Sequence, residues 1–569
     1  MRGAKVLVNT LKEQGAKLLF GIPGGANLAI YDELHESGLR HILTRHEGGA
    51  VHMADGFARV TGTPGICLGT SGPGATNMIT GLGTAYLDSS PVICMTGQVS
   101  TKMMGNDAFQ ESDSFDMMIP VTKSNFKLRS PDDIPAVFTK AFAVATSGRF
   151  GPVAIDIPSD TVSSEFTGEA CLPAQFAEHV PQVKGRIADA VAMLNSASRP
   201  VLLVGGGAKW AKCGESVVEL AEMLGAPMVT TVMGKGAVPE DHPLSMGTTG
   251  MHGRRSSARI MEEADVVLAV ATRFSDRTTG KTSDFIPKAG VIHIDIDNAE
   301  LGKNVRNVIG LTGDCAVIVQ TLKSMLRNSA GARSGWTARA IAMKSYCQCD
   351  FNILESPLKP QKVIHELSRL LPDNAILTTD VGQHQMFAAH FFEASGKRKF
   401  ITSGGLGTMG FGLPAAMGAK VAEPGTKVVC LTGDGGFQMT FGEFATAVEN
   451  NIPVFVVVIN NGSLGMVRQF QKQFYNNHLF AVDYSKSPDF VKFAEAMGGA
   501  GVTVERESEV AEAIRAGLSS SVPFVADMRV DINEDCLPMT PPWTGRNGTI
   551  YGRCKWRDIS DGEIANFGK

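Results

Sequence analysis

The chain has little net charge. Its 569 residues carry 53 Lys and Arg against 57 Asp and Glu, a balance of −4, which gives no electrostatic basis for holding nucleic acid. Long apolar runs are also lacking. The longest, such as 454–459, fall far short of the ~20 residues that span a bilayer, so no membrane helix is expected. No secretory or transit segment precedes the first structured-looking stretch, and a cytoplasmic location is expected. Close cysteine pairs are nearly missing: ten cysteines are scattered, and only Cys347 and Cys349 lie close together. Without a second pair or a histidine partner they make no zinc site, and free thiols are the expectation. Glycosylation-type triplets at Asn461 and Asn547 carry no meaning without secretion.

What the chain has is glycine, 63 residues of it, with 43% hydrophobic and 19% charged residues. That composition suits a glycine-rich α/β enzyme, and the length suggests roughly three or four domains.

The stretch 428–465 organises the rest. An apolar β-type run ends in Gly433-Asp434-Gly435-Gly436. A helical pattern over 440–449 puts Phe441, Phe444, Ala445 and Val448 on one face, and a second apolar run over 454–459 ends in Asn460-Asn461. Strand, helix and strand of these lengths predict a βαβ unit. Parallel strands bring Asp434 and Asn461 to one carboxyl edge, where open α/β sheets bind ligands. A carboxylate, an amide oxygen and a backbone carbonyl such as that of Ser463 form a hard-oxygen set suited to Mg²⁺, with places left for water and phosphate oxygens. Each piece alone reads as well as a tight turn. Their pairing, each directly after an apolar strand and 27 residues apart, favours the ligand reading.

Residues 1–165 read as a first α/β block, with helices over 6–13, 50–61 and 75–87 and strands over 18–20, 41–44, 65–69 and 91–96. Such alternation predicts a doubly wound parallel sheet, laid out like the block around Gly433. A polar, proline-containing stretch, 166–184, reads as a linker. A middle domain follows over 185–325, with strands at 201–204, 265–270 and 291–296; Gly205, Gly206 and Gly207 after the first do not form the G-x-G-x-x-G fingerprint. A second polar linker is expected over 326–356, a third α/β domain over 357–535, and a tail over 536–569 as a surface strap.

The paired motif at Asp434 and Asn461 resembles the diphosphate site of thiamine-diphosphate (ThDP) enzymes. Nearly the whole chain, roughly 1–540, resembles the catalytic subunits of the acetohydroxyacid (acetolactate) synthase family. The likeness is carried by GIPGGA (21–26), RHEGGAVHMADGFAR (45–59), TSGPGATN (70–77), GNDAFQE (105–111), GMHG (250–253), RFSDR (273–277), VIHIDID (291–297), GQHQMF (382–387), SGGLGTMGFGLPAA (403–416) and NNGSLGMVRQ (460–469). It implies three doubly wound domains that bind the cofactor's pyrimidine, FAD and the diphosphate in turn. Glu47, by itself a helix-start carboxylate, would stand beside ring nitrogen N1′ of the aminopyrimidine. Asp434, Asn461 and the Ser463 carbonyl would hold Mg²⁺. Val381, Gly382, Gln383 and His384 would meet the diphosphate side, with Leu464, Gly465 and Met466 nearby. Met409 would wedge between the cofactor rings, a task suited to a flexible apolar chain. Phe109, Gln110 and Gly25 would line the substrate side. Arg149, Gly205, Gly206, Gly207, Thr231, Met251, His252, Arg273, Arg277, Asp295, Ile296, Asp314 and Cys315 would contact FAD. His46 and His52 are expected to be structural.

The implied reaction is decarboxylation of pyruvate and joining of the remaining two carbons to a second 2-ketoacid. The implied assembly is a homodimer or dimer of dimers with the site between subunits, open to a small regulatory subunit. A flavin-using pyruvate oxidase, or another ThDP carboligase, is the alternative on the same scaffold. Two positions depart from the family pattern. Phe470 stands where a Trp linked to 2-ketobutyrate preference is usual, and Ser159 stands where relatives often carry Lys.

Overall fold

A computed structural model describes residues 1–168, 183–347, 356–545 and 548–552. Three sheets follow one another along the chain. The first contains β1 (Leu18–Gly21), β2 (Arg40–Leu43), β3 (Gly65–Gly69), β4 (Val92–Gln98), β5 (Ser124–Lys127) and β6 (Val153–Pro158), all parallel, in the order β2-β1-β3-β4-β6-β5. The second contains β7 (Lys184–Gly185), β8 (Pro200–Val204), β9 (Met228–Thr230), β10 (Ser245–Thr248), β11 (Val266–Val270), β12 (Gly290–Asp295) and β13 (Val308–Thr312). Its order is β10-β9-β8-β11-β12-β13-β7, parallel except for β7 against β13. The third contains β14 (Ile376–Thr379), β15 (Lys399–Thr402), β16 (Val428–Gly433), β17 (Phe455–Asn460), β18 (Ala500–Val504) and β19 (Phe524–Arg529), ordered β15-β14-β16-β17-β19-β18.

Counted from its own first strand, the third sheet repeats the order of the first, so the likeness expected of the two ends is a shared topology. Strands such as β16 and β17 are buried along their whole length, and helices on both faces explain why they read as unbroken apolar runs. In sheets of this order the ligand crevice opens where the order reverses. That point lies between β1 and β3 in the first sheet and between β14 and β16 in the third.

Two expectations need correction. The helix after β16 begins at Asp434, not Thr440. It runs over Asp434–Thr440, and a second helix covers Glu443–Glu449. The glycines weaken helix propensity and made this start read as a turn, yet Gly435, Gly436 and Phe437 are buried in helical backbone. Part of the expected second linker is a helix, Ser334–Tyr346, with Trp336, Ala340, Ala342 and Met343 buried. Just before it, the Arg333 guanidinium donates to the carbonyls of Leu194, Ala197 and Leu224 at 2.6–3.0 Å. Arg333 Nη1 also donates to Ser329 Oγ at 2.7 Å, and a buried cation satisfied in this way leaves no apolar signature in the sequence. Residues 348–355, including Cys349, and 169–182 of the first expected linker lie outside the described residues.

The first and third sheets share a core that joins Phe20, Met53, Phe411, Phe437 and Phe444. At its centre the helix Glu47–Thr61 crosses the helix Gly412–Ala422 almost without side chains between. A Cβ on Gly56 would lie 2.1 Å from the Ala415 carbonyl oxygen, and one on Gly418 would lie 1.9 Å from that of Met53. The tail turns back on itself through mutual backbone bonds between Met539 and Ile550, and Thr540 N donates to the Met251 carbonyl. No helix of the described residues is long and apolar enough to cross a membrane.

Candidate active site at the third-sheet switch point

Asp434 leaves the carboxyl end of β16 as the first helical residue and is only 1% exposed. Burial pushes its carboxyl up to about 7, although N–H groups of Gly435, Ser463 and Gly462 pull the other way. Its Oδ2 has no hydrogen-bond partner among the described residues, and neither does the buried Ser463 Oγ. Asn461 Oδ1 accepts from Ser463 N at 3.1 Å, which leaves a second lone pair for a cation. The loop is steadied from outside, where Leu464 N donates to the Val482 carbonyl and Tyr484 N to the Gly462 carbonyl, both at 2.8 Å. Buried polar atoms without partners cost free energy. Two of them facing one edge fit a site completed by a ligand.

Gln383 turns inward. Its Oε1 accepts from Asn461 Nδ2 at 3.1 Å, and its Nε2 donates to Gln469 Oε1 and the Glu534 carbonyl at 2.9 and 2.8 Å. The side chain therefore orients Asn461 rather than offering itself to a diphosphate. His384 packs between Gly382 and Gly433. Burial lowers its imidazole to about 3, and its Nε2 is without a partner among the described residues. Val381 is buried beside it.

Asp380, which the sequence reading missed, holds this edge together. It is 1% exposed. Its oxygens accept from Val381 N at 2.7 Å, Gly410 N at 3.0 Å and Gly412 N at 2.9 Å. It thereby clamps the loop that carries Met409, and burial raises its carboxyl to about 6. Met409 Cε lies 3.7 Å from where a Cβ on Gly435 would sit; Leu464 and the Tyr484 hydroxyl flank the same point at 2.8 Å. Met466 and Phe470 are half-buried against the third-sheet core. The Phe470 ring lies 5.9 Å from that of Phe474, which meets exposed Trp543 edge-on at 4.9 Å.

The substrate-side set belongs to the first sheet. Glu47 is the first residue of the helix Glu47–Thr61 and, half-buried, accepts from Asn77 Nδ2 at 3.0 Å. His46 caps that helix by accepting from Gly48 N, and His52 is buried edge-on to Phe411. Phe109 is 89% exposed. Gln110 has φ +61 and lies over Gly72. Gly25, itself exposed, opens a 3-10 turn that ends on buried Asn27. The polar partners of Glu47 and those of Asp434 have no residue in common. Within one copy, residues 382–384, 409, 433–435 and 461–465 meet one another, while Glu47 lies near Gly74 and Gln110 over Gly72, both in the first domain.

A cavity of about 770 Å³ lies where all three domains meet. Arg149, Gly206, Gly207, Thr231, Arg273, Arg277, Asp295, Ile296, Asp314 and Cys315 line it, as does Lys209, which the sequence did not single out. Burial brings Lys209 down to about 7 and Asp295 up to about 6. Gly205, Met251 and His252 lie elsewhere. Gly205 packs under Ala271, and the Met251 Sδ accepts from Arg277 at 3.2 Å beside a second, smaller cavity. His252 is half-buried, its Nδ1 enclosed without a partner among the described residues, and burial lowers its ring to about 3.

Models of thiamine pyrophosphate enzymes match the chain in three parts. The N-terminal TPP binding domain matches residues 1–117, the central domain 187–322 and the C-terminal TPP binding domain 380–528. A probable acetolactate synthase large subunit of Methanocaldococcus jannaschii is 45% identical over 557 residues, covering 95% of this chain and 94% of the relative. The acetolactate synthase isozyme 1 large subunit of Escherichia coli is 42% identical over 549 residues (95% and 96%), and the isozyme 3 large subunit 43% over 560 residues (95% and 96%). With a thiamine-pyrophosphate domain at each end and this identity along nearly its whole length, the chain belongs to the acetolactate synthase large-subunit family of ThDP-dependent enzymes.

Proposed function

We propose that the protein decarboxylates pyruvate and joins the product to a second 2-ketoacid, giving 2-acetolactate or 2-aceto-2-hydroxybutyrate. The observation that carries this reading is the pair of partnerless buried oxygens, Asp434 Oδ2 and Ser463 Oγ, at the end of β16. Asp434, Asn461 and the Ser463 carbonyl would hold Mg²⁺. Among the described residues no cluster of three or more His, Cys, Asp or Glu could hold a metal, so the ion needs the oxygens of a bound diphosphate to complete its shell.

Bound ThDP supplies the electron sink that lets a 2-ketoacid lose CO₂. The chain's own groups do the rest. Glu47 would hold a proton at the N1′ side of the pyrimidine, and Met409 would pack against the bound cofactor. Phe109, Gln110 and Gly25 lie on exposed ground in one copy and close over substrate in a homodimer whose site forms between subunits. Exclusion of water there favours carbon–carbon bonding over protonation. FAD would be held in the three-domain cavity, where Arg149, Arg273 and Arg277 would supply positive charge to an anionic ligand. The relatives' designation as large subunits extends the reading to a small regulatory partner, and the location is cytoplasmic. The test is product formation from pyruvate alone and from pyruvate with 2-ketobutyrate, with ThDP, Mg²⁺ and FAD omitted in turn. Absence of either acetohydroxyacid from the complete mixture overturns the assignment.

A further inference from the structure

The diphosphate-binding domain reaches across to the first domain at one buried carboxylate. Glu443 lies in the third domain, nine residues beyond Asp434 and 1% exposed. Its Oε1 accepts from Arg45 N at 3.0 Å and His46 N at 2.9 Å. Its Oε2 accepts from Arg45 N at 3.1 Å and from the Thr446 hydroxyl at 2.9 Å. Thr446 also donates to the Leu43 carbonyl at 3.3 Å, while the Arg45 guanidinium turns outward to Glu449 at 2.6 Å. The carboxylate therefore grips backbone, not a side-chain cation.

Burying a carboxylate without a directly paired cation costs several kcal/mol, and its acidity is indeed weakened by that burial. What it obtains is fixed peptide geometry at the two residues before Glu47. Pinning successive N–H groups sets the peptide planes leading into the helix, and Glu47 begins one residue, about 3.8 Å in Cα spacing, beyond the second. Its closeness to the helix start is tight: a Cβ on Gly49 would lie 2.3 Å from Glu443 Oε1.

We propose that Glu443 is a positioning residue for Glu47: by clamping the Arg45 and His46 amides from the diphosphate-binding domain, it aims the Glu47 carboxyl at the aminopyrimidine. This rests on the reading of Glu47 given above. It extends that reading by assigning the aim of the acid to a side chain in another domain, almost 400 residues later in the sequence.

The test is exchange of the cofactor's C2 proton for deuterium in the ThDP-loaded protein, read by NMR after acid quench, beside turnover, ThDP affinity and melting temperature. An ångström of misplacement costs up to about 100-fold in rate, so Glu443→Gln is expected to slow exchange and turnover by about 10- to 100-fold. Its ThDP affinity should stay within about threefold, because Asp434 and Asn461 are untouched. The Glu47→Gln/Glu443→Gln double variant should exchange no more slowly than Glu47→Gln, because the clamp acts only through that acid. Gly49→Ala, which displaces the clamp without removing it, should reproduce the slowing and serves if Glu443→Gln does not fold. Exchange within about twofold of wild type in a folded Glu443→Gln or Gly49→Ala protein overturns the proposal, as does a double variant slowed by the product of the single effects. Normal exchange in Glu47→Gln removes the reading of Glu47 itself and the proposal with it.

Discussion

Asp380 and Asp434 close the carboxyl ends of the adjacent strands β14 and β16, and only Asp434 has an oxygen left over. Asp380 accepts from three backbone amides, at Val381, Gly410 and Gly412, while Asp434 Oδ2 has no partner among the described residues. One carboxylate builds the edge, and the other waits for a cation.

The waiting carboxylate sets a pH dependence. Its acidity moves from 3.8 in the unfolded chain to about 7 in the folded one, so the folded form binds the proton more tightly. Stability from this group is complete below about pH 4 and lost as the pH rises through about 7. Asp380, raised to about 6, acts with the same sign over a lower window. Ligand-free protein should therefore melt at falling temperature between about pH 4 and pH 7 and level off above that. Asp434→Asn should flatten that fall, most clearly between about pH 6 and pH 7 where Asp380 no longer contributes, and be the more stable protein at pH 8, by on the order of 1–4 kcal/mol. The same substitution should abolish Mg²⁺-dependent ThDP binding, and calorimetric titration checks both halves.

Glu47→Gln should lose about 10²- to 10⁴-fold in turnover, the range of a lost acid–base group, with the melting temperature nearly unchanged. A half-buried side chain that accepts a hydrogen bond from Asn77 has little structural weight to lose. Steady-state rates beside a thermal melt separate the two effects.

Gly418→Ala should loosen the junction of the first and third domains. Its Cβ would meet the Met53 carbonyl at 1.9 Å, an overlap that only helix separation relieves, and overpacking of this kind costs about 1–3 kcal/mol or more. A lowered melting temperature with faster amide exchange along 47–61 is the expected signature.

Arg273→Ala should weaken FAD retention by tenfold or more, the loss of about one charge-assisted hydrogen bond. Arg273 lines the three-domain cavity, and burial already disfavours its charge. Flavin absorbance of the purified variant, titrated with FAD, gives the result.

Phe470→Trp should raise the share of 2-aceto-2-hydroxybutyrate formed from mixed 2-ketoacids. The larger ring would extend from a position already half-buried beside Phe474. Product ratios from equimolar pyruvate and 2-ketobutyrate measure it.

The strands and the Asp434–Asn461 edge were legible because buried parallel strands are written as unbroken apolar runs and because two short signals fell at the ends of two of them. Asp380 was not legible. One Asp after Thr378-Thr379 has only the Val381 amide as a partner nearby in sequence, and its role appears only when Gly410 and Gly412 fold onto it. The helix start at Asp434 was hidden by glycine, whose weak propensity is overridden by burial on every side. Gln383 was placed in the right neighbourhood, but its amide faces Gln469 and Glu534, 86 and 151 residues away, a choice no local pattern encodes. Gly205, Met251 and His252 share sequence neighbourhoods with cavity residues, yet Gly205 packs against Ala271, Met251 faces the second, smaller cavity, and His252 is in the lining of neither.

The 770 Å³ cavity is walled by side chains from the first, second and third domains at once, with Arg149, Thr231 and Phe400 each on a different unit. Whatever fills it acts as mortar among three bricks. A tightly held occupant binds the intact arrangement and no partly separated one, so at saturation it ties the second domain to the already joined first and third and favours a single cooperative transition.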